Sequence, residues 1–316
     1  MSVLSSPYFH DEAVAFAKLE SIVWPDGVVC PHCGGMDRVN RLEGVKDKKG
    51  RVRPGLWKCY HCRKQFTVRV GTIFESSHVP LHKWFQCAYL MISSKKGISA
   101  RQLHRTLEVA YKTAWFMCHR LREAMRSGEF DVMGGDSGIV EVDETFIGND
   151  RTVKPKYTKK GRGYAHKHKV LTLVDRETGK ARSMVVDDLK AKTLVPILKD
   201  NIDREAKVVT DEAGQYKHMA REFIHGFVRH GQGEYVSRKT PEIHTNTIEG
   251  YFSIFKRGMK GVYQHCAKRQ LHRYLAEFDF RYNNREANGF SDADRFENVL
   301  GGIVGKRLQY LDSSVG

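Results

Sequence analysis

Two cysteine pairs constrain this chain more than any other feature. Cys30-Pro31-His32-Cys33 and Cys59-Tyr60-His61-Cys62 form two CxxC turns separated by 25 residues. Each turn brings two thiolates close enough to share an ion, and zinc takes four such soft ligands in a tetrahedron. The second turn lies in LWKCYHCRKQFT (56–67), which reads as a β-hairpin with aromatic flanks. Its distance from the first turn is absorbed by a loop, GVKDKKGRVRP (44–54). A redox site needs only one CxxC, and buried free cysteines do not come as paired doublets. Residues 28–70 are therefore expected to form a zinc ribbon with one structural Zn²⁺ on Cys30, Cys33, Cys59 and Cys62. His32 and His61 are further donors, although four thiolates suffice. A closed four-thiolate site has no open position, so it holds shape rather than catalysing. Cys87, Cys118 and Cys266 are scattered and read as core residues.

At 316 residues the whole chain is large enough for about two domains, or for one large domain with small appendages. Its 53 Lys and Arg against 37 Asp and Glu leave a charge of +16, which favours a polyanionic partner, nucleic acid first. No apolar run approaches the roughly 18 residues of a membrane span. The opening MSVLSSPYFH lacks the basic and apolar regions of a secretory signal, and cysteine is too sparse for a disulfide scaffold. A cytoplasmic protein without membrane attachment is the expectation.

Residues 1–27 read as a helical lead-in that ends at the turn Trp24-Pro25-Asp26-Gly27. Residues 138–290 alternate between strand and helix. Strands are expected at 139–147, 169–175, 181–186 and 207–210, with a hairpin turn at Thr178-Gly179. Helices are expected at 189–202 and near 215–224, 246–258 and 268–285. This order implies an α/β fold, a mixed sheet covered by helices. Residues 291–316 form a tail with no legible role. Between the first two strands lies a run with eight Lys or Arg and no acid, residues 151–170. Lys154, Lys156, Lys159 and Lys160 either contact DNA phosphates there or are simply solvated.

Residues 80–130 are helical. Ser99 is a natural N-cap, and Leu103 and Leu107 share a face. After a break near Val109-Ala110, residues 111–125 form a second helix with Ala114, Met117, Cys118 and Leu121 at apolar positions. Two short helices joined by a tight turn resemble a helix-turn-helix. Lys112, Thr113, His119, Arg120 and Arg122 would then face DNA. The alternative is a plain helical hairpin.

Three carboxylates carry the expected chemistry. Asp143 sits mid-strand, on the face shared with Glu141 and Thr145, while Val140, Val142 and Phe146 point the other way. Asp211 ends a strand, where sites in α/β sheets gather. Glu249 opens a helix. Two strand-borne aspartates and a helix-borne glutamate can converge on two Mg²⁺ or Mn²⁺ ions, which suit in-line phosphoryl displacement. Each acid has a plainer alternative: Asp143 could serve a strand bulge, Asp211 could cap a helix after Gly214, and Asn246-Thr247-Ile248-Glu249 fits a capping box. Asn246, Glu249, Ser253 and Lys256 share one helix face. An ammonium at Lys256 could meet a phosphate near the scissile bond.

The blocks VDETFIG (142–148), VTDEAGQY (209–216) and HTNTIEGYFSIFKRGMKGVYQH (244–265) resemble the signature blocks of bacterial insertion-sequence transposases of the DDE type with an N-terminal zinc ribbon, the ISXO-two-like group. The ribbon, the segment TAW…HRLR and the closing LHRYLAEFDFRYNNR (271–285) match in the same order, so the resemblance spans roughly residues 10–290. It implies an RNase H-like catalytic domain preceded by the ribbon and the helix-turn-helix. It places the acidic triad on Asp143, Asp211 and Glu249, and the basic residue seven positions after the acid on Lys256. Asn246 and Lys260, in the same block, are expected to contact DNA. The implied reaction is Mg²⁺-dependent cutting at terminal inverted repeats and joining to target DNA, by at least a dimer. The rival readings are a DNA-binding regulator without catalysis and an RNase H-like nuclease that cuts without joining.

Overall fold

The two CxxC turns hang on a small antiparallel sheet of β1 (Val39–Arg41), β2 (Trp57–Cys59) and β3 (Gln65–Phe66), in the order β1-β2-β3. The computed structural model describes residues 2–126, 131–149, 166–212, 216, 221–228, 236 and 240–309. It divides into two units, residues 1–126 with 290–316, and residues 127–289.

In the first unit, α1 (Glu12–Val23) starts at Asp11, whose carboxylate accepts from the Val14 amide at 2.9 Å. The next residue, Glu12, caps a different helix. α2 (Leu81–Ser93) follows Pro80 and has no side-chain cap of its own, and Glu12 accepts from its Leu81 and His82 amides at 2.8 and 3.1 Å. α3 (Ala100–Leu107) is capped by Ser99 and ends at Glu108 in the left-handed region. α4 (Tyr111–Ala124) starts three residues later, so the helical pair with its tight turn is present as expected. The tail is not an appendage. It forms α8 (Asp292–Gly301), opened by a Ser291–Asp294 capping box, and its Phe296 packs edge-on against Phe85 of α2.

The basic residues of α4 divide differently from the sequence expectation. Lys112 is exposed and Thr113 half-buried at the start of the helix. His119, Arg120 and Arg122 are buried, so they are not presented to DNA. His119 lies against Trp115, with centroids 4.1 Å apart. Arg120 donates to the Ile73, Glu75 and Leu308 carbonyls at 2.7, 2.8 and 3.0 Å. Its guanidinium satisfies backbone that turns away from regular structure, which periodicity along one helix does not reveal.

In the second unit, β4 (Ile139–Ile147), β5 (His168–Asp175), β6 (Ala181–Val186), β7 (Lys207–Asp211) and β8 (Ile224–Val228) form one mixed sheet in the order β6-β5-β4-β7-β8. β4, β5 and β6 are antiparallel neighbours, whereas β7 and β8 run parallel to β4. This is the RNase H-like arrangement. β8 was not expected. The helix anticipated near 215–224 lies largely outside the described residues, and its last residue begins this strand. Only five residues long, with His225 and Gly226 inside it, β8 carries a weak strand signal.

β4 is buried on both faces. Val140 and Val142 join Leu171, Leu173 and Val208 under α5 (Ala191–Asn201), through Leu194 and Leu198. On the other face, Ile147, Val170 and Val174 lie under α6 (Asn246–Gly258) and α7 (Lys268–Asn283), through Ile248, Tyr251, Phe255, Leu271 and Phe278. The side chains of Glu141, Asp143 and Thr145 therefore share the face covered by α6.

The buried role of Arg120 makes a direct prediction. Arg120→Ala orphans three carbonyls and should cost about 2–3 kcal/mol of stability, lowering the midpoint of thermal unfolding by circular dichroism. Arg105→Ala, at an exposed position of α3, should leave that midpoint unchanged.

Candidate active site

Two centres can be built from the described residues. At the ribbon, the Cys30 and Cys62 sulfurs lie 3.7 Å apart and the Cys33 and Cys59 sulfurs 3.6 Å apart. All four sulfurs fall within 4.8 Å of one another. A tetrahedron with Zn–S bonds of about 2.3 Å has edges of about 3.8 Å, so the set fits zinc. The Cys62 amide, followed by the Cys33 thiol, pulls the Cys59 thiol down to about 6, toward the thiolate a metal needs. The two histidines are engaged elsewhere. His61 Nε2 meets Asp37 at 2.7 Å, and His32 packs edge-on to Phe66. Behind the knuckles, Trp57 stacks under Arg41 at 4.7 Å and stands edge-on to Trp24. Cys87 and Cys118 are buried as expected, and Cys266 is half-buried.

The second centre lies at the carboxyl end of β7. The parallel register pairs Glu141 with Val209, where the β4–β7 ladder ends. Asp143 and Asp211 stand two residues beyond that pair on neighbouring strands, on the same face and at the same level. Beyond the last ladder bond the strands are free to part, which is where a crevice forms. Both aspartates are half-buried. Burial first, then the charges of Glu144 and Asp211, push the Asp143 carboxyl up from 3.8 to about 7. The Glu144 amide, donating to Asp143 at 2.7 Å, and the Lys256 ammonium pull the other way without prevailing. An acid raised by its neighbours in this way suits a hard divalent cation, which removes the repulsion.

α6, which covers this face, carries the remaining residues, and of these Lys256 acts on Asp143. Glu249 is exposed in its first turn, with Oε1 3.5 Å from the Thr245 hydroxyl. Lys256, two turns on, is half-buried over the Phe252 ring at 5.4 Å. Asn246 and Lys260 are exposed at the two ends of the helical segment. Asn246 lies within the helix, so it is not the N-cap of a box with Glu249. The first-turn amide of Ile248 is taken instead by Glu141 of β4, at 2.8 Å. The sequence reading placed Glu141 on the right face and gave it no role. Lys154, Lys156, Lys159 and Lys160 lie outside the described residues.

Comparison with known proteins agrees with this geometry. Residues 136–283 match the ISXO2-like transposase domain, and residues 10–65 match the transposase zinc-ribbon domain. A protein of Halobacterium salinarum, described as an uncharacterized protein in transposable element ISH50, is 30% identical over 291 residues, covering 86% of this chain and 91% of the relative. The chain belongs to the ISXO2-like transposase family. In this transposase the first match runs from just before β4 to the end of α7, and so contains the five-stranded sheet with α5, α6 and α7. Two solved structures also match: the HTLV-2 integrase catalytic core domain in complex with magnesium, at 11% identity, TM-score 0.25, over 46% of this chain and 86% of that one; and the simian T-cell lymphotropic virus intasome in complex with PP2A regulatory subunit B56 gamma, at 12% identity, TM-score 0.27, over 56% and 67%. The fold assignment rests on the strand order of this chain and not on them. Among the described residues, no helix is long and apolar enough to cross a membrane.

Both centres have measurable consequences. Elemental analysis should find one zinc per chain, absent after Cys59→Ser. Because such zinc binding is itself folding free energy, chelation should expose Trp57 and shift tryptophan emission to the red. Asp143 gives a pH signature in metal-free protein. Its folded pKa is raised, so its contribution to stability is complete below about 3.8 and is lost as pH rises through about 7. Asp143→Asn should therefore melt a few degrees higher than wild type at pH 8 and level with it near pH 4. Adding Mg²⁺ at pH 8 should stabilise wild type and leave the variant unmoved.

Proposed function

We propose that this transposase cuts one DNA strand at each end of its element and joins the freed 3′-OH to a target phosphodiester. The observation that carries the reading is the pairing of Asp143 and Asp211 on one sheet face, beneath the helix of Glu249 and Lys256, with the Asp143 carboxyl pushed up to about 7.

Asp143 and Asp211 are rigidly mounted on neighbouring strands and would hold the metals from below. Glu249 would close the site from α6. Two Mg²⁺ or Mn²⁺ ions, when bound, activate the attacking oxygen and steady the leaving one. The Lys256 ammonium lies over the Phe252 ring and in the field of Asp143, so it would be placed to grip a non-bridging phosphate oxygen. In the first step the attacking oxygen comes from water; a phosphorus–oxygen bond forms as the bond to the 3′ oxygen breaks, and that oxygen leaves as the 3′-OH. In the second step the 3′-OH attacks, and the target strand's own 3′ oxygen leaves. No protein nucleophile is needed.

Element ends would be held by the first unit. The side chains α3 and α4 offer to solvent include Arg101, Arg105, Tyr111 and Lys112, with Arg101 over the Tyr111 ring at 4.5 Å. In a helix-turn-helix the start of the second helix reaches the groove while the first lies against the backbone. Thr113 belongs to this group, whereas His119, Arg120 and Arg122 are buried. Asn246 and Lys260 are accessible to DNA at the ends of the α6 segment. Two ends must meet for joining, so at least a dimer is expected on DNA.

A strand-transfer assay tests the reading, with a labelled duplex carrying the element end, a supercoiled target and Mg²⁺. Wild type should give joined product. Asp143→Asn should give none while still binding the duplex, and Lys256→Ala should be slower by on the order of 10²-fold. Cleavage without joining would make the protein a nuclease. Binding with neither reaction, in Mg²⁺ and in Mn²⁺, would make it a DNA-binding regulator.

A further inference from the structure

One buried charge cluster has no part in the chemistry above, yet it joins the strand of Asp143 to the first turn of the helix that carries Glu249. Glu141 is fully buried. Its Oε1 takes the Arg176 Nε at 2.6 Å, and its Oε2 takes the Ile248 amide at 2.8 Å. Arg176, just past β5, reaches on to the segment that leads into α6. Its guanidinium donates to the Glu242 and His244 carbonyls, each at 2.6 Å, and to His244 Nδ1 at 3.0 Å. His244 accepts that bond as the neutral ring, in keeping with a pKa lowered first by burial and then by Arg176.

The sequence positions of these anchors matter. Glu141 precedes Asp143 by two residues on the same strand face. Ile248 precedes Glu249 by one residue in the first helical turn. Thr245, the residue before α6, has no side-chain cap bond, so its first turn depends on a carboxylate 107 residues earlier in the chain. An anion also suits the positive end of the helix dipole, and a second anchor through Arg176 fixes the approach of the chain. A carboxylate buried this deeply persists only because both partners are in place.

We propose that Glu141, clasped by Arg176, is a positioning residue for the metal site. By tying the first turn of α6 to β4, it sets Glu249 against Asp143 and Asp211. Glu141 touches neither metal nor DNA in this role. The inference rests on the acidic-triad reading of the proposed function.

The test is Mn²⁺ binding to the full-length, DNA-free chain, by calorimetric titration, for wild type, Asp143→Asn, Glu141→Gln, Glu141→Ala and Arg176→Lys. Glu141→Gln keeps an oxygen for the Ile248 amide and loses the charge that holds Arg176, so it should fold even if Glu141→Ala does not. The expected result is Mn²⁺ affinity at least about tenfold weaker in Glu141→Gln and Arg176→Lys, in the range found when groups that orient metal ligands are removed. Amide exchange at Ile248 and Glu249 should quicken in the same variants. Binding to the element-end duplex without added divalent ion should be unchanged from wild type, because the helical hairpin of the first unit carries it. Wild-type Mn²⁺ affinity in both variants, with Asp143→Asn impaired, would overturn the positioning role and leave the triad standing. Equal affinity in wild type and Asp143→Asn would overturn the triad itself, and this inference with it.

Discussion

The second unit is organised by the difficulty of burying carboxylates in a strand that is covered on both sides. β4 carries three in four residues, Glu141, Asp143 and Glu144, and each meets a different solution. Glu141 is neutralised by Arg176 and caps α6. Glu144, facing the opposite side, accepts the hydroxyl of buried Tyr216. Asp143 accepts the neighbouring Glu144 amide and lies in the field of Lys256, yet its carboxyl is still pushed up to about 7. The unbalanced member of the set is the one at the crevice. An acid left short of compensating charge amid otherwise satisfied neighbours is what a cation site looks like before the cation is considered.

The same economy of charge runs through the first unit. Glu12 caps α2 from α1, as Glu141 caps α6 from β4. Arg120 satisfies carbonyls from two distant segments. In each case a charged side chain on one element meets backbone groups of another segment that regular structure there leaves unpaired. The excess of basic residues is thus not all surface. Some of it is structural, and the exposed part on the helical pair is concentrated on α3 and the first turn of α4.

Much of the architecture is legible locally. The four zinc ligands are adjacent in pairs and separated by one loop, so residue type and spacing identify them. The strands 139–147, 168–175 and 181–186 announce themselves through β-branched runs and the Thr178-Gly179 turn. The period-two alternation that put Glu141 and Asp143 on one face holds because a pleated strand has no other choice. Illegible features share a different cause. β8 is short and carries glycine and histidine. The basic side chains of α4 occupy helical positions that either solvent or a second segment could claim. Glu249 at the start of a helix invites a local cap, and the cap arrives from another strand.

From sequence alone follow the candidate ligands and acids, the strand face that Glu141 and Asp143 share and the resemblance to a transposase, because these depend on residue type and on periodicities of a few residues. Only the tertiary structure decides which charges are buried, what closes the first turn of α6, and whether Asp143 and Asp211 stand level. Those outcomes depend on strand register and on contacts such as Glu141 to Ile248, across 107 residues. No local preference encodes the free energy of such a pairing. It exists only once burial has removed water as the competing partner.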